Sequence, residues 1–195
     1  GYGKQRMNAS ESIFEHPLSE KTHTYLRVEF LFNKVTSLIS ESSYYCHHAA
    51  MGCLFELLEV LDHGDTRAEL HSDLDKQLQL FRQMVSHPGV DRDKLNRFLS
   101  QLEKLYSWIV HHRGKFGAVL REDEFLQLGK QRFSLRGGSS AMDLPRLHCF
   151  LQRDVEWRRE KLHHWLSDLQ GVRTSVEVLL RLMREQAQWR DAQFD

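Results

Sequence analysis

Histidine occurs twelve times in this chain of 195 residues, three times as an adjacent pair: His47-His48, His111-His112 and His163-His164. Imidazole is a common metal ligand at neutral pH. Helical neighbours, however, point about 100° apart and do not converge on one ion. Cys46 and Cys53, seven residues apart, fall on one helical face close to Leu57, which is the spacing of a packed interior. No metal site and no cofactor are expected from this pattern. The three cysteines, Cys46, Cys53 and Cys149, form no CxxC pair and are odd in number, which suits reduced thiols in a cytoplasmic protein.

Catalytic arrangements are equally unsupported. Glu122, Asp123 and Glu124 are consecutive and stand at the start of an expected helix, where negative charge favours the helix dipole. No GxSxG, HExxH, GxGxxG or P-loop pattern occurs. The run Arg136-Gly137-Gly138-Ser139-Ser140 has no lysine after it to hold a phosphate and is read as a turn. Trp108, Trp157, Trp165 and Trp189 resemble a ligand box only in number, since Trp108 and Trp165 fall near apolar helical faces. An enzyme is not expected. Lys+Arg 27 balances Asp+Glu 27, so there is no positive field to drive nucleic-acid binding. No run approaches the ~18 apolar residues needed to cross a membrane, and the first residues lack an apolar signal segment.

Proline occurs only at 17, 88 and 145, leaving long helical periods intact. A helix from Ser19 carries Leu26, Val28, Phe30, Leu31, Phe32, Val35, Leu38 and Ile39, which cover more than one face. Ser42 or Ser43 can cap a second helix that closes at Gly64, and Asp65 a third with Leu70, Leu74, Leu78, Phe81 and Val85 on one stripe. After Pro88-Gly89, Asp91 can cap a fourth through Leu95, Phe98, Leu102, Leu105 and Ile109. A short helix is expected from Glu124 to Phe133. Asp154 opens a long segment to Trp189, with Gly171 as a candidate kink. Residues 12–16 and 146–151 alternate and read as short strands, and strands so short belong to a larger sheet. The expected fold is mainly α, an irregular antiparallel helical bundle with a small and here incomplete β-sheet appendage. Residues 1–10 read as a flexible N-terminal extension or a cloning remnant, and 11–195 as one helical domain.

The surplus of apolar side chains on the first helix asks for a second surface, so Val28, Leu31, Phe32 and Val35 are candidates for a homodimer interface. Between 146 and 190, nine Lys/Arg face six Asp/Glu. Arg153, Arg158, Arg173, Arg181 and Arg184 then form a candidate basic face for an acidic partner. The other account of those charges is a solvated face laced with pairs such as Glu177–Arg181.

Several strings resemble the ZapD family of cell-division proteins: IFEHPLSEK at 13–21, LRVEFL at 26–31, ELLEVLDHGDTRAEL at 56–70, PGVD at 88–91, VLRED at 119–123, QRFSL at 131–135, GG at 137–138 and DLPRLH at 143–148. They follow in family order from about Ile13 to Met183. The resemblance implies a helical domain joined to a small sheet, a symmetric homodimer, and binding of the C-terminal tail peptide of FtsZ. Two tails per dimer make a cross-linker that bundles filaments at the midcell Z-ring. It also implies a positively charged peptide site, for which Arg27, His148, Arg121 and Arg146 are the candidates. Two departures are visible. Glu124 stands where the family often has Arg, and the sequence stops at Asp195, where family members continue past the last helix into a strand-rich region. A helical adaptor or chaperone for another charged peptide is the alternative function.

Overall fold

Three short polar side chains begin helices in the same way. Ser43, Asp91 and Asp154 hold extended backbone, and each accepts from a main-chain N–H two or three residues on: Tyr45, Lys94 and Trp157, at 3.2, 3.2 and 2.9 Å. Each satisfies a donor that the first helical turn leaves without a partner. The computed structural model describes the backbone of residues 20–118, 120, 123 and 145–194. Among these residues the elements are α1 (Glu20–Ser40), α2 (Tyr44–Asp62), α3 (Thr66–Met84), α4 (Arg92–His111), α5 (Pro145–Gln152), α6 (Val155–Ser167) and α7 (Gln170–Phe194). No strand occurs among them. The strand expected at 12–16, the helix expected at 124–133 and the turn at 136–140 lie outside the described residues.

The strand expected over 146–151 is corrected: this stretch is helix α5. Alternation would place 149 and 151 on one face, yet Cys149 is exposed while Phe150 and Leu151 are both buried. Adjacent buried positions are incompatible with a half-buried strand and natural for a helix edge. Pro145, with φ preset and no N–H to lose, occupies the first helical position. The long segment after Asp154 is two helices. The break falls at Asp168–Leu169, ahead of Gly171, which lies inside α7.

The chain divides into two compact units. One is drawn from Gly1–Glu29, Thr66–His112 and Arg173–Asp195, the other from Phe30–Asp65 and Arg113–Val172. In the first, the register of α3 on α4 is set by His71 against Tyr106 at 5.1 Å and Phe81 against Phe98 at 5.8 Å. One number rises as the other falls, so the helices are antiparallel. At the far end of the pair, Arg67 donates to the carbonyls of Ile109 and His112 and closes the C-terminus of α4. Leu70, Leu74 and Leu78 of α3 and Leu95, Leu102 and Ile109 of α4 are buried, as their spacing requires. Val85, expected on that stripe, lies past the end of α3 and is exposed. Tyr25 of α1 is fully buried, and its hydroxyl donates to Asp73 Oδ2 at 2.6 Å.

In the second unit α2 packs on α5 and α6. Phe150 of α5 meets Trp157 and Trp165 of α6, with ring centroids 5.5 and 5.6 Å apart. Aromatic pairs at this separation add about 0.5–1.5 kcal/mol beyond the area they bury. Cys53 is buried, and burial pushes its thiol up from the ordinary value, so it behaves as a small apolar group. Gly117, with φ +74, lies against Leu58 and Leu169.

Candidate functional site

Two consecutive arginines of α6 hold the second unit together at the end of α1. Arg158 is only 6% exposed. Its Nε donates to His47 Nδ1 at 2.8 Å, one terminal nitrogen to the carbonyls of Leu151 and Arg153 at 3.1 and 2.6 Å, and the other to the carbonyl of Ser42 at 2.8 Å. Because Nδ1 accepts, the ring proton sits on Nε2, which donates to Glu41 at 2.7 Å and more weakly to Ile39 at 3.3 Å. His47 is therefore neutral. Burial pushes it below the ordinary imidazole value, and the charges of Arg158 and Arg159 push the same way, against the two carbonyls. Arg159 adds bonds to the carbonyls of Ile39 and Ser40 at 3.1 and 2.8 Å and pairs with Glu156 at 2.7 Å. The last carbonyls of a helix lack internal partners and carry partial negative charge, so two guanidinium groups there satisfy both needs. This cluster is a lock on helix ends.

Arg158 accordingly leaves the basic face on which its charge alone had placed it: every one of its bonds turns inward. The other arginines of that candidate face are engaged in contacts of their own. Arg153 lies over the Trp157 ring at 4.6 Å, Arg173 pairs with Glu177 at 3.0 Å, and Arg184 reaches Glu29 at 3.4 Å. The pair Glu177–Arg181 suggested by spacing is replaced by Glu177–Arg173. Arg181 instead bonds Gln101 Oε1 at 3.0 Å. Arg27 is exposed on α1. Arg146 and His148 fall in α5, and Arg121 lies outside the described residues. Val28, Leu31, Phe32 and Val35 are buried within the chain itself at 0–2% exposure. The covering that their number demanded is thus already supplied, whereas Phe30 on the same helix is 63% exposed.

A feature that spacing did not single out is an open groove of about 880 Å³ in the first unit. Leu80, Phe81 and Met84 of α3 line one side, Leu95 and Phe98 of α4 another, and Leu182 of α7 a third. The turn at Pro88-Gly89 lines it too, and φ +92 at Gly89 is reached there without strain. Two cations stand on one ring: Lys94 Nζ is 6.0 Å and the Arg181 guanidinium 5.2 Å from the Phe98 centroid. Lys94 and Phe98 are four apart on α4, a spacing that was available to inspection. Arg181 is eighty-three positions from Phe98, a proximity that only the fold creates.

These features define a class first: a mainly helical protein whose buried polar side chains tie helix ends together. Among the described residues no helix is long and apolar enough to cross a membrane. A family model described as ZapD, cell division protein, matches residues 26–194. The chain is 36% identical over 172 residues to the cell division protein ZapD of Chromobacterium violaceum, covering 88% of this chain and 68% of that protein. It is 36% identical over 177 residues to the ZapD of Vibrio vulnificus, with 91% and 72% covered, and 33% identical over 171 residues to that of Nitrosomonas eutropha, with 88% and 68% covered. The chain belongs to the ZapD family of cell division proteins.

Proposed function

We propose that the chain is a non-enzymatic cytoplasmic division protein that binds the C-terminal tail of FtsZ and, as a dimer, cross-links and bundles FtsZ filaments at midcell. The observation that carries this reading is family membership along nearly the whole chain, residues 26–194. Arg27, exposed on α1, supports it, because a guanidinium offers a planar fork that binds a carboxylate with two hydrogen bonds. Arg121, Arg146 and His148 are further candidates for contact with the tail, on the ground of the family resemblance alone. Since Val28, Leu31, Phe32 and Val35 are interior, the dimer contact is assigned to groups that α1 and α2 leave outside, Phe30 and Tyr45, at 63% and 80% exposure. Co-sedimentation with FtsZ polymers tests the reading. Intact FtsZ should carry the protein into the pellet and tail-deleted FtsZ should not, and raised salt should weaken the effect. Arg27→Glu should abolish bundling while the helical circular-dichroism signal stays unchanged. Equal pelleting with tail-deleted FtsZ refutes the tail-binding reading.

A further inference from the structure

The groove at the tip of the α3–α4 pair has an apolar floor and Lys94 on its lining, and nothing in the tail-binding reading uses it. Its floor is Phe81 packed on Phe98, flanked by Leu80, which is 40% exposed, and Met84. A contiguous apolar hollow left open on the outside of a folded chain marks a binding surface more often than an accident of packing. Lys94 lines the groove, and Arg181, outside its lining, stacks on the Phe98 ring that belongs to it. Among the described residues neither Lys94 nor Arg181 has a carboxylate within ion-pair distance; Lys94 rests on Phe98, and Arg181 on Phe98 and the neutral amide of Gln101. A carboxylate arriving beside this ring is attracted by each cation that rests on it. Two acids also line the groove. Asp91 is committed to the N-cap of α4, and Glu185 lies on the α7 side.

We propose that this groove docks a short segment of a partner protein in which apolar side chains lie beside a carboxylate, the apolar groups on Phe81 and Phe98 and the carboxylate between Lys94 and Arg181. The groove shares no residue with the candidates for the tail site, and its test does not involve FtsZ. Three labelled synthetic peptides serve as probes: one carrying Leu and Phe with Glu, one with Lys in place of Glu, and one with Ser and Gln in place of Leu and Phe. Fluorescence anisotropy with the full chain should show binding of the first and at least ~tenfold weaker binding of the other two. Lys94→Glu should weaken the first peptide ~tenfold or more; the change lies in the first turn of α4, where a negative charge favours the helix, so folding is preserved. Arg181→Gln should act in the same direction and more mildly. The proposal is overturned if the first peptide shows no binding at millimolar concentration, if the Lys-bearing peptide binds as well, or if Lys94→Glu leaves its binding unchanged. It is also overturned, in favour of a second copy as occupant, if the chain self-associates in sedimentation and Leu80→Asp returns it to monomer.

Discussion

Arg158 Nε and His47 Nδ1 lie 2.8 Å apart although 111 positions of sequence separate them. The bond is the centre of a set in which one guanidinium serves three carbonyls and one imidazole. Arg158→Met keeps the side-chain volume and removes every donor, leaving buried acceptors unpaired. The expected loss is about 3 kcal/mol of unfolding free energy, at a cost of ~1–3 kcal/mol for each orphaned group that water cannot reach. Arg158→Lys should recover little of it, since one ammonium lacks the planar fork. Urea denaturation measures both, and a loss within error of zero removes the lock from the account.

The same pair makes stability depend on pH. The folded-state pKa of His47 lies below the ordinary 6.5, so as pH falls the unfolded chain takes the proton first. The contribution of His47 is complete above about pH 6.5 and is lost as pH falls from there through the folded-state value, by at most ~1.4 kcal/mol per pH unit. Protonation also turns Nδ1 into a donor facing the Arg158 donor. His47→Gln should flatten that part of the stability curve in denaturation series taken at stepped pH, and an unchanged slope assigns the acid sensitivity to other groups.

Tyr25 and Asp73 form a second buried polar contact, in the other unit. Burial, and the carboxylate it bonds to, hold the Tyr25 phenol far above its ordinary range, so it stays a donor at every pH at which the protein is handled. Tyr25→Phe removes only the hydroxyl and leaves Asp73 Oδ2 without that donor. A loss of about 1–3 kcal/mol is expected by thermal or urea unfolding, with helical content retained.

Two glycines with positive φ should respond very differently to alanine. At Gly117 a Cβ would stand 2.5 Å from Leu58 Cδ2 and 3.4 Å from Leu169 Cδ2, while at Gly89 it meets nothing within 4 Å. Gly89→Ala should cost only the conformational strain, ~1–2 kcal/mol. Gly117→Ala adds a clash in the interior of the second unit and should exceed that by ~1 kcal/mol or more. Paired melting curves decide it, and equal losses would mean that the Leu58 side chain yields freely.

Local rules carried the reading wherever the deciding contact is short in sequence. The caps at Asp91 and Asp154 and the stripe Leu70, Leu74, Leu78 follow from spacings of three and four, and they stand as expected. Arg146 to Leu151 satisfies periods of two and of three to four at once, and only the joint burial of Phe150 and Leu151 decides between them. The surplus on α1 was legible as surplus; whether the chain or a second copy covers Val28 and Val35 was not. Arg158 looked like one more surface charge because the acceptors of its longest-range bonds, His47 and Ser42, come from over a hundred positions away. The setting of the groove was hidden for the same reason, Phe98 and the Arg181 that stacks on it lying on different helices.

Each unit is stitched from stretches of chain made at different times. Glu29 meets Arg184 only after 155 further positions have been synthesised, and the end of α1 waits for Arg159 of α6. Local helix formation in α1 is fast, whereas contacts between positions so far apart in sequence form late. During translation the carbonyls of Ile39 and Ser40 therefore wait for Arg159 through most of the chain's production, a window in which chaperone capture or association between nascent chains competes with folding.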